Sequence, residues 1–358
     1  MQIPQLVIGE KIAQVPIVQG AMGVGISLSG LAGAVARAGG VGVIAGVEIG
    51  FQWPTYATDK VTANSEALLW HLHRAREIAP QGVIGVNIMV AANDYALLVE
   101  TAVRGGADII FSGAGLPLLL PALTRGSSTA IVPIVSSAKA AALITKHYLN
   151  KYNRLPDAIV VEGPLAGGHL GFSRSQLADS TGQFSLDTIL SEVHTAMRDL
   201  LGEKAASLPL IAGGGVFSGG DIARLLRAGA AGVQLATRFV ATLECDAASE
   251  FKEAYLQATP DDVVIIDSPV GMPGRALANK FLKEVEKGLR QPDSCVVHCL
   301  KPCNPLRAPY CIAEALINAA RGQLGDGFAF CGSEVHRIHS IVSVDELMRE
   351  LCDELRRA

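Results

Sequence analysis

The sequence predicts a (β/α)8 barrel carrying a smaller C-terminal cap, an α/β fold that three observations support. Eight short apolar runs recur: Pro16–Gln19, Val41–Ala45, Val83–Met89, Ala107–Phe111, Ala130–Val135, Ala158–Val161, Leu208–Ala212 and Gly232–Ala236. Each is continuous rather than alternating, as expected of parallel strands covered on both faces. Longer amphipathic stretches separate them and read as helices: Leu28–Ala38, Ser65–Ile78, Tyr95–Arg104, Ala138–Leu149, Leu186–Leu201, Gly220–Ala228 and Ala247–Ala258. The third observation is length. A barrel of this kind needs about 250 residues, and the chain has 358. The repeat accounts for a barrel over residues 1–262 and leaves 263–358 for a cap. An open doubly wound sheet is the competing architecture.

Composition narrows the function classes. Hydrophobic residues make up 49% and charged residues 18% of the chain, so it buries a large core and is not a disordered segment. Thirty basic against 34 acidic residues give a net charge of −4, with no basic run interleaved with aromatics, which argues against a nucleic-acid partner. No apolar stretch has the length of a membrane span, and Met1-Gln2-Ile3-Pro4 lacks the regions of a signal peptide. A cytoplasmic protein with no membrane partner is the expectation.

In a barrel, binding and catalytic groups come from the C-terminal strand ends and the loops that follow. Here those ends are small, glycine-rich or amide-bearing: Gln19-Gly20-Ala21-Met22-Gly23, Asn87-Ile88-Met89, Ser112-Gly113, Ser136-Ser137-Ala138-Lys139, Glu162 to Gly171, Gly213-Gly214-Gly215 and Gln234-Leu235-Ala236-Thr237. Such a mouth offers many backbone N–H donors and little bulk, which suits a planar cofactor with a phosphate tail. The seventh and eighth strands of barrels commonly supply the phosphate site. The Gly213–Gly215 loop, with a helix starting near Gly219-Gly220-Asp221, and the Gln234–Thr237 loop are therefore the expected cradle.

The sixth run breaks into Glu162-Gly163-Pro164-Leu165-Ala166-Gly167-Gly168-His169. Glycines admit close backbone approach and positive φ, and an imidazole among them can move a proton near neutral pH. A turn holding a solvated histidine is the plainer alternative. Similar alternatives attend the other candidates: Glu162 as a strand-end carboxylate, Ser112 as a turn serine, Lys139 as a solvated first-turn lysine, Met22 as core. The long segment from Glu162 to Leu186 reads as a mobile cover over the site. Arg275 pairs with an acidic group or lies on the surface.

Taken together, Pro16-Ile17-Val18-Gln19-Gly20-Ala21-Met22, Gly85-Val86-Asn87-Ile88-Met89, Glu162 with Ala166-Gly167-Gly168-His169-Leu170-Gly171, Ile211-Ala212-Gly213-Gly214-Gly215 and Gln234-Leu235-Ala236-Thr237-Arg238-Phe239 resemble the FMN-dependent family of nitronate monooxygenases (2-nitropropane dioxygenases) and flavin-dependent enoyl-ACP reductases. The resemblance implies FMN as cofactor, held by Ala21, Met22, Gly23, Asn87, Lys139, Glu162, Gly167, Gly168, Gly213, Gly214, Gly215, Gln234, Ala236 and Thr237. It implies His169 as the catalytic group. Two reactions follow from it: oxidation of alkyl nitronates, or reduction of an activated C=C bond, such as that of an enoyl thioester, with NAD(P)H or a carrier as donor. A small-molecule or thioester substrate, a redox partner and a homodimer are the expected associations.

The cysteines depart from that pattern. Four of the seven fall in Cys295-x3-Cys299-x3-Cys303-x7-Cys311, with His298 beside them. In a reducing compartment this density points to metal or redox chemistry, with an iron-sulfur cluster, zinc or ordinary thiols as the alternatives.

Overall fold

The computed structural model describes every residue except Met1, Asp293, Ser294 and Val296. Eight parallel strands close into a barrel: β1 (Ile17–Gln19), β2 (Val41–Ala45), β3 (Val83–Met89), β4 (Ile109–Gly113), β5 (Ala130–Val135), β6 (Ile159–Glu162), β7 (Leu210–Gly213) and β8 (Gly232–Leu235). The order is sequential, and β8 pairs back to β1 through Val233↔Ile17 and Leu235↔Gln19. The doubly wound alternative is thereby excluded. Inward residues alternate along the strands, so Val41, Val43, Ile109, Phe111, Val132, Val160 and Ile211 fill the barrel. Outward ones such as Ile44, Val86, Ile110 and Val161 meet the helices. The hairpin Leu6–Ile8 and Lys11–Ala13 seals the N-terminal end, with the Leu6 side chain against Gly232 at the start of β8.

The surrounding helices are α1 (Ser29–Arg37), α2 (Lys60–Ile78), α3 (Tyr95–Arg104), α4 (Ala138–Tyr152), α5 (Leu186–Leu201), α6 (Gly219–Arg227) and α7 (Ser249–Leu256). Helix α2 starts five residues before the sequence pattern suggests, because Asp59 caps it by accepting the Thr62 N–H at 3.1 Å. Between β4 and β5 only a single turn, Leu120–Leu123, forms. None of the helices among the described residues is long and apolar enough to cross a membrane.

The cap contains β9 (Val263–Asp267) antiparallel to β10 (Pro273–Leu277), α8 (Lys280–Glu286) and α9 (Ile312–Ala320), around a core that includes Phe281, Leu300, Tyr310, Ile312 and Phe328. It does not run on through residue 358. The helix α10 (Val344–Arg357) returns to the barrel and packs against α1 and α6, burying Val344, Leu347, Met348, Leu351 and Leu355 in the barrel's own core. Its strongly segregated apolar face explains this placement, since α1 and α6 leave a gap in the helical ring for it to fill. The cap is therefore an insertion between α7 and the wall helix α10.

Candidate active site

The C-terminal strand ends open into one cavity under the cap. Its lining includes Gly20, Ala21, Met22, Gly23, Asn87, Glu162, Gly167, Gly168, His169, Gly214, Gly215, Gln234, Ala236 and Thr237, so nearly all of the residues singled out from sequence converge. Two do not. Lys139 is exposed at the second position of α4, where a helical side chain leans over solvent rather than into the barrel mouth. Gly213 is a fully paired strand residue covered by the Gln234 side chain. Ser112 is also turned away: its hydroxyl is buried, donating to Ile88 O at 2.9 Å and touching the Tyr95 hydroxyl.

Local bonding shapes each wall. At the end of β1 the buried Gln19 amide donates to Gly20 O at 2.7 Å and accepts from Val43 N at 2.9 Å, fixing where the chain leaves the strand. Gly23 is bare because a Cβ there would meet the Val47 side chain. Gly214 and Gly215 adopt φ of +99° and +76°, a region that favours glycine. Their N–H groups, with those of Ala236 and Thr237, make no bond to other protein groups among the described residues. The Thr237 hydroxyl accepts from Gly332 N at 2.9 Å and keeps its own proton to donate. This array of unspent donors fits an anionic tail. The expected helix start does not take part: Ser218 and Asp221 form a capping box, and the Glu354 carboxylate accepts from Gly219 N at 2.7 Å. That N-terminus already holds an anion.

The glycine loop is not free. Gly168–His169 forms a short strand on β10, with Gly274 opposite His169 and Arg275 opposite Gly168. Arg275 is buried and meets no carboxylate among the described residues; its guanidinium donates to Pro164 O at 2.7 Å and to Ala166 O. One side chain thus pins the loop at two carbonyls. Gly167 approaches Cys331 and Gly332 so closely that a Cβ would lie 2.5 Å from the Cys331 carbonyl carbon. The first half of the supposed mobile cover is hydrogen-bonded into the cap sheet, and its next turn, Arg174–Leu177, is tied to β9 by an Arg174–Asp267 ion pair at 2.9 Å.

His169 lies against the Phe330 ring edge-on, 4.9 Å between centroids, and its Nε2 is 2.7 Å from the Ser268 hydroxyl. Burial lowers its pKa to about 4, so the imidazole is neutral at physiological pH. Burial also raises Glu162 to about 7, and no donor among the described residues offsets it. Sequence reading missed Glu48, which follows β2 and lines the cavity, and the apolar wall from the cap and α7, including Tyr255, Leu316, Phe328 and Phe330. Glu48 was detectable as an acidic residue in a strand-end loop. The wall residues carry no local signal, because only the fold of the cap brings them over the barrel.

The cysteines do not assemble the ligand set expected of Cys295, Cys299, Cys303 and Cys311. Among the described residues no three His, Cys, Asp or Glu side chains converge on a point where a metal ion would sit. The four thiols are near enough to repel one another electrostatically when charged. Cys299 is buried in the cavity wall, Cys311 stands at the N-cap of α9, and Cys295 accepts the His298 N–H at 3.4 Å.

A family model described as nitronate monooxygenase matches residues 6–354. Among curated proteins, the chain is 28% identical over 275 residues to (3aS,4S,5R,7aS)-5-hydroxy-7a-methyl-1-oxo-octahydro-1H-indene-4-carboxyl-CoA dehydrogenase of Mycobacterium tuberculosis, covering 77% of this chain and 66% of that protein. It is 30% identical over 209 residues to nitronate monooxygenase of Paraburkholderia phytofirmans, covering 56% and 50%. The matched stretch thus spans just under two thirds of the first relative and half of the second. Among solved structures, FabK from Thermotoga maritima superposes with a TM-score of 0.74 at 23% identity, covering 96% of this chain and 94% of that one. Nitroalkane oxidase from Streptomyces ansochromogenes gives 0.69 at 23% identity, covering 97% of each. At these identities the likeness is one of fold.

Proposed function

Because the chain belongs to the nitronate monooxygenase family, matched over residues 6–354, we propose that it is an FMN-dependent oxidoreductase acting on a neutral acyl substrate, reducing a C=C bond conjugated to a thioester carbonyl or catalysing the reverse. The observation that carries this reading is the charge of the cavity wall. Its described lining has no lysine or arginine, it includes the carboxyls of Glu48 and Glu162, and its one imidazole is neutral. A nitronate anion buried there would find no cationic side chain in the described lining, and an unpaired buried charge is costly. A neutral conjugated thioester avoids that cost. The CoA-linked substrate named for the M. tuberculosis relative is of the same acyl class.

Gly214, Gly215, Ala236 and Thr237 would hold the FMN phosphate through backbone N–H groups, and Ala21, Met22, Asn87, Glu162 and Gln234 would line the ring. When bound, FMN supplies or accepts the hydride exchanged with the β-carbon. The chain's own part is electrostatic. In the His169 tautomer whose Nε2 accepts from Ser268 Oγ, a contact of 2.7 Å, Nδ1–H would donate to the substrate carbonyl oxygen, where negative charge grows as the hydride arrives. In reduction the α-carbon then takes a proton from water. Phe328, Phe330 and Leu316 would cover the apolar acyl group and keep bulk solvent away.

The test is anaerobic stopped-flow mixing of the FMN-loaded protein. Reoxidation of chemically reduced flavin by an enoyl thioester, with no bleaching of oxidised flavin by an alkyl nitronate, supports the proposal. The opposite pattern overturns it in favour of nitronate oxidation, the reading favoured by the description of the family model.

A further inference from the structure

One charged group in the cavity has no part in the chemistry above. Glu48 belongs to the loop after β2, diametrically across the barrel from His169, which follows β6. Its side chain is 3% exposed; one carboxylate oxygen accepts from the Tyr56 hydroxyl at 2.5 Å and the other from Lys60 Nζ at 3.1 Å. The backbone here is at φ +47°, a left-handed conformation that glycine adopts freely and glutamate does not. Both the backbone and the desolvated charge therefore stand against ordinary stability.

A structural role does not account for this arrangement, because the loop is anchored without it. Gly50 N donates to the fully buried Asn64 at 2.9 Å, and Asn64 donates to Asp94 at 3.0 Å. Gly50 lies so close to α2 that a Cβ would come within 2.5 Å of the Ala63 backbone, and Arg321 donates to Phe51 O at 3.2 Å. Burial pushes the Glu48 carboxyl above its ordinary range, and the Lys60 ammonium and Tyr56 hydroxyl work against that shift. Two donors occupy only part of the acceptor capacity of a carboxylate, which has about four lone-pair sites. Glu48 lines the cavity together with Val24, Ile26, Val47 and Leu300, which are apolar, and the Cys299 thiol.

We propose that Glu48 is a specificity-determining residue that accepts a hydrogen bond from a neutral donor on the substrate, an amide N–H or a hydroxyl, and excludes substrates bearing a carboxylate at that place. This rests on the acyl thioester reading above, in which the donor comes from one of two sources. It is an amide of a pantetheine-like thioester arm, or a hydroxyl on the acyl part.

The experiment separates them and separates the two proposals. Calorimetric titration of the FMN-loaded protein uses three saturated butyryl thioesters: the N-acetylcysteamine thioester, with an amide N–H in the arm; the S-ethyl thioester, with no donor; and the 3-hydroxybutyryl S-ethyl thioester, with the donor in the acyl part. The corresponding enoyl thioesters are assayed for reoxidation of reduced flavin. One donor-bearing compound binds about tenfold more tightly than the S-ethyl thioester, as expected for a hydrogen bond to a charged acceptor, and identifies the source. Glu48→Gln brings that ratio close to one. Glu48→Asp, which keeps the charge beside Lys60 but withdraws the oxygens by one methylene, gives an intermediate ratio and decides the matter if the glutamine variant does not fold. Equal binding of all three by the natural chain, or a ratio unchanged in the variants, overturns the proposal for Glu48 even where enoyl thioesters are turned over. Discrimination that depends on Glu48 without turnover overturns the acyl reductase reading and leaves Glu48 in place. Absence of both binding and turnover overturns both.

Discussion

His169 and Glu162 are two half-buried titratable groups whose protonation behaviours are set in opposite senses by the same cause, desolvation. For His169 the folded pKa of about 4 lies below the ordinary 6.5, so its contribution to stability is present above 6.5 and lost as pH falls toward 4. For Glu162 the folded pKa of about 7 lies above the ordinary 4.5, so its contribution is present below 4.5 and lost as pH rises toward 7. Between those limits the two slopes oppose each other in the FMN-free protein. Glu162→Gln should therefore leave a thermal midpoint that rises more steeply with pH from 5 to 6.5 than that of the natural chain; parallel curves would show that Glu162 is not protonated in the folded state. For catalysis, His169→Ala should keep FMN and lose turnover by about 10²- to 10³-fold, the usual effect of removing one donor to a developing oxyanion. The Nε2–Ser268 contact survives in His169→Gln only in part, so rescue should be small. Rates of single-turnover flavin reoxidation check both variants.

At this scale the sequence was informative where a side chain acts from a strand end. His169, Glu162, Asn87 and Gln234 lie at or just beyond strand C-termini, and each lines the cavity. Lys139 was misplaced because the step from strand to helix at Ser137, which caps α4 by accepting the Ala140 N–H at 3.3 Å, rotates the second helical residue out of the mouth. A strand-end position limits where a Cα lies, and the first turn of the helix then decides where the side chain goes.

The site is assembled at the level of elements by one loop held from behind. Arg275 on β10 grips Pro164 O and Ala166 O, and β10 pairs with the strand that carries His169, so cap and barrel share that segment. Arg275→Met should release both carbonyls, lower the thermal midpoint and weaken FMN binding, whereas a surface arginine would change neither. Gly167→Ala should be harsher, because its methyl meets backbone atoms of Cys331 and Gly332 that cannot rotate away. Overpacking of this kind costs about 1–3 kcal/mol, checked by chemical denaturation, and FMN affinity should fall with it. Most barrel elements were readable from apolar runs: β2, β3, β5, α3 and α5 begin and end where the pattern places them. The cap was not, since most of its core is built from residues scattered between Val270 and Phe328. The pairing of Gly168–His169 with β10 joins positions about a hundred apart, and no local pattern encodes that.

The whole molecule is closed by a helix that sequence order assigned to the wrong part. Since α10 completes the barrel wall, Leu351→Ala should cost about 2–5 kcal/mol, the range for a fully buried leucine. A helix merely resting on the cap would lose far less, and urea unfolding distinguishes the two. Ion pairs Arg238–Glu350 at 3.0 Å and Arg37–Asp345 at 3.4 Å fasten the same helix at its rim, but they are partly or well exposed and contribute little beside the apolar stripe.

The position of that wall helix also orders events during biosynthesis. A nascent chain that has emerged only as far as Val342 has all eight strands yet lacks the piece that covers α1 and α6. Their apolar faces stay wet until about 14 more residues leave the ribosome, an interval in which chaperones have a surface to hold. Coenzyme uptake should accordingly trail translation of residues 344–357, and stalled chains arrested before that point should remain colourless and protease-sensitive.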